Sequence, residues 1–308
     1  MQPLEDFRIF FNHTIHPELM RLDRRRRRLL RLLFFSFLVF AAILLFIIYI
    51  GELLVTLILI LPIVFYLGYL SFRFQRFVST FKPKVVNLVL DFIDDDPEFG
   101  TLTYKAKGKI SRDSFMQSRI FGSLPAIYEG EDYISGEIGD IRFEMCELNV
   151  REYSRVRNRM NYVFRGAFLH ASIKQPIKGT VLIIPHKFKP YLSRAIKSIT
   201  VKGGKNLTPF IKNERFKTEF LLYASQDANI RELMSAQMLE AILDYRQRTQ
   251  KEIYFSFIKR DIYIAVTQPK DMLEPKIFQS NVSFDLLREF FEDISILLSI
   301  VVDFDKSH

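Results

Sequence analysis

The chain has 308 residues, is 49% hydrophobic, and carries a net charge of +9, a pI of about 9.5 and a single cysteine, Cys146. One thiol excludes an internal disulfide scaffold and is compatible with a reducing compartment. The positive balance asks for an acidic partner. Five of those charges abut an apolar run, and none alternates with aromatics in a recognisable nucleic-acid module. The expectation is therefore an anionic membrane face and no nucleic acid.

Residues 1–28 open the chain. Leu4, Phe7, Phe10 and Phe11 recur at helical spacing, which predicts either a surface-lying amphipathic helix that grips the membrane or a short helix packed on the soluble domain. His13 and His16 fall on one helical face, but two ligands are too few for a metal site. Arg24, Arg25, Arg26, Arg27 and Arg28 then stand where cytoplasmic headgroups would lie.

Residues 29–72 hold only two charges, Arg31 and Glu52. A span needs about 20 apolar residues, and 29–50 and 53–72 each supply them, with Gly51-Glu52 as the turn of a transmembrane hairpin. The run is too long for a signal-peptide core. Arg73, Arg76, Lys82 and Lys84 follow the second stretch, and the connecting turn has no Lys or Arg. The positive-inside bias thus puts both termini in the cytoplasm. Pro62 should kink the second span and Pro83 should end or bend the basic segment 73–83. No ionisable residue sits at mid-span, which argues against transport by these helices alone. Homo-oligomerisation through the spans stays open, with no GxxxG pattern behind it.

Residues 84–308 form the expected cytoplasmic domain. Lys84–Asp94 is apolar and reads as a helix, and Asp94-Asp95-Asp96-Pro97 as a solvated turn. Strand patterns follow at 101–104, through 128–150 with a tight turn at Gly139-Asp140, and at 162–173 and 179–185. Residues 111–121 are helical or irregular, and 208–219 a polar loop before a strand at 220–224. Asn229–Arg246 has a 3.6-residue apolar period, Ile253–Ile258 and Asp261–Thr267 make a hairpin on Lys259-Arg260, and Phe284–Val302 closes as a helix. Strands, helix, hairpin, helix is no βαβ alternation. It predicts an α+β fold with a largely antiparallel sheet.

Catalytic patterns are absent: no GxSxG, no P-loop, no GxGxxG after a strand. Lys202-Gly203-Gly204-Lys205 is a basic glycine turn without P-loop spacing. Glu129, Glu131 and Asp132 could do acid–base work but also solubilise a turn. Cys146, mid-strand, reads as inert, with His170 and His186 only nominal partners. Arg151, Arg155, Arg157 and Arg159 give four arginines in nine residues on a hairpin, a candidate contact for anionic lipid or an acidic partner. No catalytic, cofactor or metal residue is expected.

Certain stretches are carried in common with a known family: Tyr128-Glu-Gly-Glu-Asp-Tyr-Ile-Ser-Gly, Phe143-Glu-Met-Cys-Glu-Leu, Phe164-Arg-Gly-Ala-Phe, Phe220-Leu-Leu-Tyr-Ala-Ser-Gln-Asp, Ile253-Tyr-Phe-Ser-Phe and Ile262-Tyr-Ile-Ala. With the N-terminal helix and two-span hairpin they resemble a bacterial family of uncharacterised membrane proteins built on a domain of unknown function. It is sometimes mislabelled galanin, and no hormone function is implied. The resemblance supplies no reaction and no cofactor. The expected protein sits in the bacterial cytoplasmic (inner) membrane as a binding or scaffold protein, contacting bilayer, anionic headgroups and a membrane-associated protein. The alternatives are a tethered enzyme on a lipid or nucleotide phosphate, and an accessory subunit of a transport or envelope assembly.

Overall fold

The computed structural model describes residues 3–50, 53–97, 99, 101–122, 124–154, 158–174, 176–186, 195–197, 199–201, 203–228, 235–268, 273 and 277–307. The expected Gly51-Glu52 turn, Arg155, Arg157, Lys202 and residues 229–234 lie outside them. The chain forms two compact units, Gln2–Phe92 with Leu273–Leu287, and Ile93–Met272 with Arg288–His308.

The first unit is helical. Helix α1 (Leu4–Phe10), a π-helical turn (Phe11–Ile15) and α2 (His16–Ile50) follow one another without a break. Helix α3 covers Leu53–Asp94. Phe7, Phe11, Ile15 and Leu19 are buried, as are Phe77, Phe81, Val85, Val86 and Val89 of α3. The ring of Phe92 lies 5.3 Å from Phe7 and 5.0 Å from Phe10. Phe284 reaches the same patch, 5.1 Å from Phe11. The N-terminal apolar stripe therefore faces protein, and the surface-lying helix is not what forms.

Pro83 does not end the helix: α3 runs through Pro62 and Pro83 alike. A proline inside a helix costs roughly 3 kcal/mol. Burying Phe81, Val85 and Val86 on either side of Pro83 offsets that, since a fully buried side chain of this kind contributes about 1.5–3 kcal/mol.

Among the described residues one helix is long and apolar enough to cross a membrane, Leu4–Phe46. Its best window has mean hydropathy 2.6 and is only 6% buried.

The second unit is α+β. Its strands are β1 (Thr103–Lys105), β2 (Ile127–Ile138), β3 (Ile141–Ser154), β4 (Arg159–Ser172), β5 (Thr180–Pro185), β6 (Lys205–Asn206), β7 (Phe220–Ala224), β8 (Ile253–Ile258) and β9 (Asp261–Thr267). They form one sheet in the order β1-β2-β3-β4-β9-β8-β5-β7-β6. Every pairing is antiparallel. The β8–β9 hairpin has the expected bounds, and Lys259 in its turn is left-handed at φ 57°. Gly139 turns β2 into β3 at φ 53°.

Alternation gives the sheet two apolar faces. On one, Cys146, Leu148, Phe164, Phe168, Tyr254 and Tyr263 pack with Phe115 and Phe121. Phe115 belongs to α4 (Arg112–Gln117), which Ser111 caps by accepting the Ser114 N–H at 3.0 Å. On the other face, Phe257 stacks on Phe304 of α7 (Phe284–Ser307) with centroids 6.3 Å apart. The expected loop at 208–219 instead contains a 3-10 turn (Thr208–Phe210) and α5 (Glu214–Glu219), because Asn213 caps the latter through the Phe216 N–H. Helix α6 (Ala236–Thr249) starts on the Ser235 cap, whose hydroxyl and N–H both donate to Asp303.

Candidate functional site

The sheet register sets Glu144 of β3, His170 of β4 and Tyr263 of β9 side by side in one row. Asp261 opposes Ser172, two residues on from His170, so it sits diagonally across from the imidazole. His170 Nδ1 is 3.0 Å from Glu144 Oε1 and Nε2 is 2.9 Å from Asp261 Oδ1. The ring stacks on Tyr263, 4.7 Å between centroids and 10° from parallel. Tyr133 of β2 donates to the other Glu144 oxygen at 2.9 Å, and Ser172 donates to Asp261 at 3.1 Å. Ser114 Oγ comes within 3.2 Å of Nδ1.

Burial alone would lower the His170 pKa. The bonds to Glu144 and Asp261 outweigh it and hold the pKa above the usual value. The bond from His170 keeps the Glu144 carboxyl below its own usual value, against burial. A carboxylate on each nitrogen favours the ring protonated at both, which can donate twice. The cluster borders a cleft of about 470 Å³, also lined by Thr101, Thr103, Ser135, Arg142 and Phe143.

Ser114, His170 and Asp261 have the connectivity of a nucleophile, base and orienting acid. Glu144 competes at the same nitrogen and at shorter range, so Nδ1 points its proton at a carboxylate and has no lone pair for Ser114.

Residues 162–306 match the family described as "Protein of unknown function (DUF3137)". That is under half the chain. His170, Ser172, Asp261 and Tyr263 fall inside the match to DUF3137, whereas Ser114, Tyr133 and Glu144 fall before it. No curated protein and no solved structure matches the chain.

The residues singled out in the sequence scatter over both units. Arg24, Arg25, Arg27 and Arg28 are exposed, but Arg26 is buried. It bonds Asp23 through Nε at 2.9 Å and Nη2 at 2.8 Å. Burial pushes the Asp23 carboxyl up, yet the bonds from Arg27 and Arg26 prevail and lower it. Arg73 and Arg76 are exposed, Lys82 is buried, and exposed Lys84 pairs with Glu18 at 2.9 Å.

Arg151 lies 5.0 Å over the Tyr162 ring, and Arg159 is exposed. Cys146 accepts the Ile110 N–H, and burial pushes its thiol up to about 12. It is no thiolate nucleophile. Asp94 accepts the N–H of Leu102, beyond the expected turn.

Glu129 does not join the acidic cluster imagined from the sequence. The register brings Glu147 beside Glu131 instead, and oxygens of Glu131, Asp132 and Glu147 come within 4.8 Å of one another. Three carboxylates, one of them holding the Tyr104 hydroxyl at 2.6 Å, fall short of the six to eight oxygens that calcium takes.

Proposed function

We propose that this is a membrane-anchored binding protein, its helices crossing a bacterial cytoplasmic membrane twice and its β-sheet unit working in the cytoplasm on proteins or lipids near that membrane. What carries the reading is the register of the helical unit. Phe10 meets Phe92 and Glu18 meets Lys84, so each step along the first helix is matched by a step back along α3. Continued straight, that register sets Leu29 level with Arg73. The stretches that would then lie side by side in lipid are the ones bearing exposed Phe34, Phe37, Leu45, Phe65 and Phe72. Arg73 and Arg76 fall level with the Arg24–Arg28 run, giving a basic collar in the plane where anionic headgroups sit.

The buried part, from Phe7 to Leu29 and from Phe77 to Phe92, forms a packed stalk on the watery side. Its burial resembles that of a soluble helix pair and contrasts with the bare apolar surface above it.

Cys146 is buried and its thiol is held protonated, so introduced cysteines report with little background. On spheroplasts, an impermeant maleimide should label Gly51→Cys, and should reach Ile9→Cys only after lysis. The protein should stay in membranes through alkaline carbonate. Release by carbonate, or labelling of both positions in intact cells, would remove the anchored reading.

A further inference from the structure

We propose that the loop carrying Ile277 and Phe278 is a further lipid contact of the helical unit, setting its phenylalanine into the headgroup layer beside the first span. The inference deepens the anchored reading and rests on it. Residues 277–284 belong to the same compact unit as the N-terminal helices.

Two contacts fix where this segment lies. At one end the Phe284 ring is 5.1 Å from Phe11, and the Arg8 guanidinium lies over the same ring at 5.8 Å. At the other end Arg26 donates from Nη1 to the Ile277 carbonyl at 2.7 Å. Phe11 and Arg26 stand fifteen residues apart, about 22 Å along a helix. The seven steps from Ile277 to Phe284 span at most about 25 Å of extended chain. The segment therefore runs lengthwise along the first helix, close to fully drawn out. Its Ile277 end is carried to the level of Arg26.

That level is where the surroundings of the helix change. On the N-terminal side Phe7, Phe11, Ile15, Leu19 and Leu22 are buried in protein. On the other side Phe34, Phe35 and Phe37 are bare. Arg24, Arg25, Arg27 and Arg28 are exposed at the junction. Here Phe278 is 86% exposed and Ile277 40%.

A lone exposed apolar side chain needs no explanation. Two adjacent ones, pegged by a buried arginine at the foot of a bare apolar helix, do. The occupant follows from continuity and charge. The apolar surface of the helix leads directly into this level, and exposed guanidinium groups there suit phosphate oxygens. Apolar side chains at the headgroup–acyl boundary with cations beside them are the pattern of an interfacial element. Residues 277–282 carry no charge, so nothing on the loop opposes entry.

The chain has no tryptophan. Phe278→Trp and Phe37→Trp are therefore unique fluorophores in two separate variants of the full chain, each at an exposed position. Both are reconstituted into vesicles of phosphatidylcholine with about one third phosphatidylglycerol, with acyl chains plain or brominated near the headgroup end. Emission of Phe278→Trp should lie to the blue and lose most of its intensity in the brominated lipid, while aqueous iodide quenches it little. Phe37→Trp reports the span in the same way.

Bromine quenching of Phe37→Trp with Phe278→Trp open to iodide would overturn the proposal and keep the anchor. Blue emission from Phe278→Trp that bromine does not quench would mean that protein covers the loop, and would overturn it too. Quenching of neither variant would remove the anchor and the loop together. Quenching of Phe278→Trp alone would uphold the loop and remove the span through Phe37.

Discussion

Arg26 donates from Nη1 to the main-chain carbonyl of Ile277 at 2.7 Å, joining positions 251 residues apart. The same guanidinium holds Asp23, whose side chain is 1% exposed. One arginine of a run that reads as a membrane-surface patch is thus a buried strut. Removing it leaves Asp23 with Arg27 alone. Arg26→Met should cost about 3 kcal/mol, whereas exposed Arg25→Ala should change stability by no more than about 0.5 kcal/mol. Thermal unfolding in detergent separates the two. Equal losses would mean that Arg26 is no strut.

The His170 clamp predicts a pH dependence with a definite sign. In the unfolded chain the imidazole titrates near 6.5, and in the folded chain higher. Its stabilisation is therefore fully present below about pH 6.5 and is lost as pH rises through the folded value. Glu144, lowered in the fold, acts at the other end. Its contribution is present above its usual pKa and is lost as pH falls through the lowered one. Denaturation midpoints measured from about pH 5 to 9 should fall on the alkaline side for the wild type and flatten for His170→Gln. An unchanged slope in the variant would show that other groups carry it.

Lys251 and Asp293 meet at 2.6 Å in the interior of the sheet unit, 7% and 2% exposed. Asp293 also accepts from Tyr245 and Gln268, both at 2.5 Å. Burial raises the Asp293 pKa even so. Lys251→Met should cost about 3–5 kcal/mol, because the carboxylate loses its cation. Adding Asp293→Asn should recover part of the loss, since the amide keeps an acceptor for Tyr245 and needs no cation. A urea double-mutant cycle gives the coupling, and additive losses would refute it.

Gly166 has φ 145°, and a Cβ there would come 2.0 Å from the Val266 carbonyl oxygen on β9. Gly166→Ala must push β4 and β9 apart where their ladder begins. The expected cost is at least about 1–3 kcal/mol, in the range of an overpacked core. It would appear as a lower melting temperature. A variant as stable as wild type would show that the two strands can yield there.

The elements legible in the sequence are those specified locally. Ile253–Ile258 and Asp261–Thr267 alternate around a two-residue turn, and the hairpin has those bounds. The apolar period of 284–302 sets the last helix, and composition alone singles out the run from Leu29. What was not legible depends on partners far away in the chain. Pro83 stays helical because Phe81, Val85 and Val86 find cover. His170, Glu144 and Asp261 stand 26 and 91 residues apart, and only the order β3-β4-β9 brings them together. Glu147 is called into the acidic cluster by register rather than by proximity in sequence. One cue was available for the cluster: His170 lies six residues beyond Phe164, on the same face of β4, between apolar Leu169 and Ala171.

A nine-stranded open sheet has two rims, and each rim is a place where another chain could pair. Here both rims are blunted. On one side β1 is three residues long, and β2 behind it is broken by a bulge between Glu131 and Ile134. The Asp132 N–H is spent on Ala106, and Lys109 takes the Tyr128 carbonyl. On the other side β6 has two residues, Leu207 N–H takes the Leu222 carbonyl, and the Leu222 N–H donates to Thr208 Oγ1. A tenth strand would find short stubs and occupied groups where a ladder should start, which is the usual defence of a sheet against fibre growth. Crowding many copies together should therefore leave this unit unaggregated, and any assembly it enters must be built through side chains.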